Sequence, residues 1–228
     1  MMIILYSILL IIVHSYHTSY PTGVDQEYIL ECCQKFGPQD VAVLIDEMKV
    51  REGLVYNNSG ALWGYVDTTE ADSLLDNLVS STNQSDTPLA THALCLMIRG
   101  LKSDLQAVVA TYGTHALTAE NLHSRFWDVV ANLELVGFSV RCCVSDGASI
   151  NRKFYKMHAD DYGDDVTYRA TNRFAISPRP LYLISDTCHL MKTSRNGFEN
   201  SGANRNSRKL VVSNVQFNNT ALFCMYRT

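Results

Sequence analysis

Short apolar runs recur along the middle of the chain, each closed by polar residues before it reaches helical length. Val41 to Ile45 is an unbroken apolar run between Gln39-Asp40 and Asp46-Glu47, which predicts a buried strand. Two further runs, "HALCLMIRG" at 92–100 and "LQAVVATYG" at 105–113, predict strands of the same kind. Before them, "GLVY", "NNSG" and "ALWGYVD" read as two strand segments around a turn, which is a hairpin pattern. The polar run 68–87 predicts a surface excursion holding one short helix over Ala71 to Val79.

The period then changes. Leu122, Phe126, Val129, Leu133 and Val136 recur at helical spacing after Thr118, a capping residue, and Gly137 marks the helix end. Val140, Cys142 and Val144 alternate with Arg141, Cys143 and Ser145, which predicts a mostly buried strand with Asp146 at its end. Gly147 offers backbone freedom for a sharp turn into a helix over Ile150 to His158. The stretch 159–180 is polar and charged, a solvated loop whose aspartates do not form a calcium-loop pattern. "LYLISD" predicts another strand, "TCHLMKTSRNGF" a helix, and the tail from Glu199 has no strong period.

Strands first, then helices alternating with strands, is the order of an α/β sandwich with a mixed sheet. Three of its strands end on an acid: Asp46, Asp146 and Asp186. In sheets covered by helices, ligands bind at the carboxyl ends of the strands, where side chains escape the packed layers yet are held rigidly. Capping of the following helix is the competing role for Asp146.

Composition changes this picture in a few places. With 228 residues, 46% of them hydrophobic and 18% charged, the chain can bury a core of its own, which excludes a disordered protein. The net charge of -4 excludes a uniformly basic nucleic-acid binder, but the charge is uneven. Residues 1–165 hold 10 Lys/Arg against 21 Asp/Glu, a net of -11, whereas 166–209 hold 8 against 2, a net of +6. The seven cysteines include two adjacent pairs and no CxxC, so neither a zinc site nor a disulfide framework is signalled and most read as reduced core residues of an intracellular protein. Trp63 and Trp127 read as core aromatics.

The amino terminus points elsewhere. "MMIILYSILLIIV" resembles the apolar part of a secretory signal, but no Lys or Arg precedes Lys35, and the run is shorter than the ~20 residues that span a bilayer. Residues 1–23 therefore read as an apolar segment outside the globular domain: a weak signal or anchor, or an artefact of gene prediction. Sequons at Asn57, Asn83 and Asn218 add little, because so permissive a tripeptide recurs by chance.

Carboxylates gathered at one sheet edge repel one another unless something positive sits between them. Magnesium suits such a place: it takes oxygen ligands, keeps several waters and is held by one or two carboxylates plus substrate phosphates. Lys192, Arg195, Arg205, Arg208 and Lys209 follow the last of the three acids and are candidates for phosphate contacts, beside the plainer reading of a solvated helix face and tail.

Four segments carry a resemblance in order and spacing: "VLIDEMKVREGLVYNNSGALWGYVD", "LATHALCLMIRGL", "LTAENLHSRFWDVVANLELVGFSVRCCVSDGASINRKFYKMH" and "LYLISDTCHLMKTSRNGFENSG". Together they resemble the RNase H-like domain of P-element-type transposases and their THAP-domain relatives, over roughly Val24 to Phe217. The combination of IDEM, SDGAS-N and D-x-x-H-L-x-K-x-x-RN is specific where no single motif is.

The resemblance implies an RNase H-like mixed sheet flanked by helices over residues 24–198, incomplete at its carboxyl end, with 199–228 beginning a further region. It implies a DDE-type nucleic-acid strand transferase that uses Mg2+ or Mn2+, acts on DNA in the nucleus, oligomerises through regions absent here and has no small-molecule cofactor site. Asp46 and Asp146 match the first two catalytic, metal-binding acids. Asp186 and His189 match an element that supports the site, His189 serving equally well as a core residue, and Glu47 reads as structural or as a support for Asp46. The chain departs from the family plan in lacking a zinc-binding THAP pattern and a phosphate-binding GxxxxGK[ST] loop. A helix with the third acid is expected beyond Thr228, and Glu199 lies too soon after His189 to replace it. An inactive transposase fragment is therefore the first expectation. A domesticated, non-catalytic nuclear module that binds DNA or protein is the second, and a secreted or membrane-anchored glycoprotein the third.

Overall fold

The structure, a computed structural model, describes residues 23–56, 62–67, 88–159 and 168–201, and the backbone of two short paired strands at 211–212 and 215–216. The described chain divides into two compact units, one ending at Ile184 and the other beginning at Ser185. The helix expected over 71–79, the apolar amino terminus, the aspartates of 160–165, and Arg205, Arg208 and Lys209 lie outside the described residues.

The main sheet has seven strands: β1 (Gly23–Val24), β2 (Asp40–Lys49), β5 (His92–Gly100), β6 (Gln106–Thr114), β7 (Ser139–Ser145), β8 (Arg169–Asn172) and β9 (Arg179–Ser185). Their spatial order is β1-β6-β5-β2-β7-β9-β8. β2 is central, antiparallel to β5 and parallel to β7, so the sheet is mixed as expected. The predicted hairpin is present as β3 (Val55–Tyr56) and β4 (Leu62–Trp63), antiparallel to each other.

Alternation along β2 sorts the two faces of the sheet. Val41, Val43 and Ile45 join Leu94, Leu96 and Ile98 of β5 in the main core, while Leu44 and Met48 pack on the opposite face against Met97 and Val108. The main core is closed by α1 (Gln26–Phe36), α2 (Ala119–Val136) and α3 (Ser149–Lys156), through Ile29, Leu122, Phe126, Val129, Leu133 and Phe154, all fully buried. Each such side chain contributes roughly 1.5–3 kcal/mol by leaving water.

The long helix forms where its spacing predicts, with both caps in place. Thr118 Oγ1 accepts from the Asn121 N–H, and Gly137 takes φ 106°, a left-handed conformation that lets its N–H reach the Glu134 and Leu133 carbonyls. α1, which the hydrophobic pattern above does not include, is capped by Asp25 and inserts Ile29, Cys32 and Cys33 into the core at helical spacing. All six described cysteines are free, and four of them are buried.

Two expectations are corrected. β2 does not end on Asp46 but runs on to Lys49, so that acid lies inside the strand. On β7 the buried residues are Val140, Cys143 and Ser145, a set that breaks plain alternation. Val41 pairs with Val140 but Ala42 pairs with Cys142, so Arg141 is one residue too many and forms a β-bulge that inverts the alternation after it. Arg141 reaches out to Asp40 at 2.7 Å. The stretch 159–180 is also not all loop: β8 pairs antiparallel with β9, and a four-residue strand whose inward residues are Ala170 and Asn172 leaves almost no apolar signal to read.

In the second unit, α4 (Thr187–Glu199) is capped by Asp186, whose Oδ1 accepts from the Cys188 N–H at 3.0 Å, and α4 buries none of its residues.

Candidate metal centre

β2 and β7 run side by side in the same direction, and their last paired residues are Ile45 and Ser145. Asp46, inside β2, and Asp146, one residue beyond β7, follow that pair on neighbouring strands spaced by about 4.8 Å. Ile45 and Ser145 both face the main core, so the alternation carries Asp46 toward the opposite face, while Asp146 lies beyond the strand and is set by its own hydrogen bonds. The bulge at Arg141 is what makes the two strands agree. Without it the alternation that buries Val140 would have turned Cys142 and Val144 inward in place of Cys143 and Ser145.

The turn after β7 grips the Asp146 carboxylate. Oδ1 accepts from the Ala148 N–H at 2.8 Å and from Asn151 Nδ2 at 2.6 Å. Asp146 is therefore not the N-cap of α3; Ala148 holds that position and makes no side-chain capping bond. Gly147 does not take a positive φ, because the bend is made by the Asp146 side chain, and its carbonyl accepts from the Arg152 guanidinium. Beneath the turn, the buried Ser145 hydroxyl meets Tyr155 Oη at 2.8 Å, and Tyr155 Oη donates to the Ile184 carbonyl at 2.9 Å. Burial pushes the Tyr155 phenol well above its ordinary range, so it stays a neutral donor.

Asp46 is half-buried and lies directly across from Cys95 of β5. Burial, followed by the charge of Asp46, pushes the Cys95 thiol up to about 12. Cys95 is itself buried within the sheet, 2% exposed. The donors in this corner are thus carboxylate oxygens, the hard set that suits Mg2+ or Mn2+. Both described contacts of the Asp146 carboxylate fall on Oδ1, which leaves Oδ2 as the oxygen for a cation. Among the described residues, no group of three His, Cys, Asp or Glu side chains is placed to hold a metal ion.

The remaining candidates have other settings. Glu47 is exposed on the face opposite to that of Asp46 and accepts from the buried Thr114 hydroxyl at 2.8 Å. Asp186 caps α4, where His189 is half-buried and Lys192 and Arg195 are exposed. Arg195 also reaches Glu199 one turn on, at 3.6 Å. Trp127 is half-buried, and its indole N–H is shared between His123 Nε2 and His158 Nε2, each at 3.2 Å.

The family model of the TNP-like RNase H N-terminal domain matches residues 28–159, more than half of the chain and both aspartates. The chain belongs to that family. Its fold is that of a solved Drosophila P element transposase strand transfer complex, with a TM-score of 0.62 at 15% identity. The match covers 91% of this chain and 39% of that one, so the TNP-like chain spans well under half the length of that transposase. No curated protein matches the sequence.

The sequence singles out both aspartates but gives no role to Asn151, although it stands in the SDGAS-N motif. Its position in the first turn of α3, five residues after Asp146, was the available signal. Tyr155 gave no such signal, because an aromatic at helical spacing reads as core.

Proposed function

We propose that this chain is the RNase H-like part of a DNA transposase, in which Asp46 and Asp146 jointly hold Mg2+ or Mn2+ for cleavage and transfer of DNA strands in the nucleus. The observation that carries the reading is the pair of aspartates that follow the parallel-paired Ile45 and Ser145, within the segment matched by a transposase-type RNase H family. When bound, the metal activates the attacking oxygen and stabilises the leaving oxygen of a phosphodiester displacement.

The chain's own residues would do the following. Asp46 and Asp146 supply carboxylate oxygens on one side of the cation and leave its other positions to water and phosphate. The sheet holds Asp46 through β5 and β7, and α3 holds the turn that carries Asp146. Lys192 and Arg195 on the exposed α4 offer phosphate contacts that do not depend on base sequence.

Two carboxylates alone bind a divalent cation weakly, so the chain by itself nicks DNA slowly. The test is nicking of supercoiled plasmid by the purified chain with Mn2+. Slow nicking that disappears in Asp46→Ala and in Asp146→Ala is expected, and nicking that survives both substitutions contradicts the reading.

A second reading, a module that has kept the fold to bind DNA or protein without catalysis, is favoured by one observation: no third ligand joins the pair among the described residues. On that reading Mn2+ has no effect on plasmid, while duplex DNA or a protein partner is still bound.

A further inference from the structure

We propose that Asn151 is a positioning residue, which orients the Asp146 carboxylate toward a divalent cation. This inference rests on the reading of Asp46 and Asp146 as metal ligands.

Asp146 lies one residue beyond β7, so strand pairing does not fix its side chain. Two donors do: the Ala148 N–H at 2.8 Å and Asn151 Nδ2 at 2.6 Å, both on Oδ1. The Ala148 bond belongs to the turn itself and would form with any side chain at 151. The Asn151 bond comes from the rigid first turn of α3, whose Phe154 and Tyr155 are buried in the core. It ties Oδ1 to the helix and leaves Oδ2 out of both bonds. The amide orientation follows from chemistry: the two nearest acceptors, Asp146 Oδ1 and the Asp146 carbonyl at 3.5 Å, can only receive a proton, so nitrogen must face them.

The residue type also fits. Ligating carboxylates are themselves held by hydrogen bonds, and loss of such a partner weakens metal binding about 10- to 100-fold. A neutral amide orients the carboxylate without cancelling its charge, as Lys or Arg would. The neighbouring cation, Arg152, is engaged by the Gly147 carbonyl.

The test uses the full chain and follows loss of the free Mn2+ electron paramagnetic resonance signal. Asn151→Ala and Asn151→Leu each remove the donor, and Ala keeps the helix well populated. Both variants are expected to bind Mn2+ about tenfold more weakly than wild type, with the metal-free melting midpoint unchanged. On an Asp146→Ala background, Asn151→Ala should weaken residual binding no further, because the amide acts through that carboxylate. If both Asn151 variants bind as wild type does while Asp146→Ala does not, the role given to Asn151 is wrong and the metal reading stands. If wild type, Asp46→Ala and Asp146→Ala all bind alike, the metal reading itself falls.

Discussion

Ile45 of β2 lies opposite Ser145 of β7 in parallel register, and each is followed by an aspartate. The match is reached past one extra residue. Arg141 bulges out of β7 and inverts the alternation of the four strand residues after it, so that Cys143 and Ser145 are the ones buried on the core side.

The register of the residues after the bulge, rather than the charge of Arg141, should therefore matter for the site. Arg141→Ala removes an exposed ion pair with Asp40 and is expected to cost at most about 1 kcal/mol in chemical denaturation, with Mn2+ affinity kept. Deletion of Arg141 removes the extra residue and lets Val140 and Cys142 follow each other in plain alternation, with Cys143 and Ser145 still inward and Ser145 still opposite Ile45, so Mn2+ affinity should be kept there too. Loss of Mn2+ binding in the deletion variant would show that the bulge itself, and not only the register after it, shapes the site.

This same residue marks the limit of what the sequence could tell. The strand over 139–145, its end at Asp146 and its place beside β2 were legible, because a run of Val and Cys between a glycine-capped helix and a DG turn leaves few alternatives. The inward set was not, since a bulge is a fact of pairing between two strands and has no signature within one. β8 escaped for a related reason: as an edge strand it needs to bury only Ala170 and Asn172. α1 was legible but passed over, because its inward stripe is Ile29 with two cysteines rather than a longer aliphatic series. The motif residues Asp46 and Asp146 stood out in the sequence as acids, whereas Asn151, in the same motif as Asp146, takes a role only once its bond to that carboxylate is seen.

A second prediction concerns the opposite end of β7. The Glu134 carboxylate is almost fully buried and accepts from the Val140 N–H, Asn172 Nδ2 and Arg179 Nη2, joining α2 to three strands. Glu134→Ala leaves these donors buried around a cavity and should destabilise the fold by about 3–5 kcal/mol. Urea denaturation checks it, and a loss under about 1 kcal/mol would mean that water replaces the carboxylate without cost.

Acidification should act through His123. Burial holds its ring below the ordinary value of 6.5, so the unfolded chain takes up the proton first as pH falls. Stability is then complete above about 6.5, declines as pH drops from there toward the lowered folded value, and levels off below it. Protonation would also remove the acceptor that His123 Nε2 offers to Trp127. Melting midpoints across this window should fall with pH, and His123→Gln, which keeps an acceptor without titrating, should flatten the decline. An equal decline in the variant would assign it to other groups.

DNA binding should respond to Lys192 and Arg195 without sequence preference. Each phosphate contact adds about 0.9 to the salt slope of the binding constant, so replacing both with Ala should lower the slope by about 2 and weaken all duplexes alike. Anisotropy titrations at several salt concentrations measure it. An unchanged slope would remove α4 from the DNA surface.

The central claim, that Asp46 and Asp146 hold one divalent cation between them, is tested most directly by anomalous diffraction from crystals of the chain soaked in Mn2+. The account predicts an anomalous peak within bonding distance of carboxylate oxygens of both residues, at about 2.0–2.2 Å, and its loss in Asp146→Ala crystals. A peak bound elsewhere, or no peak beside an ordered Asp46 and Asp146 at saturating Mn2+, would contradict it.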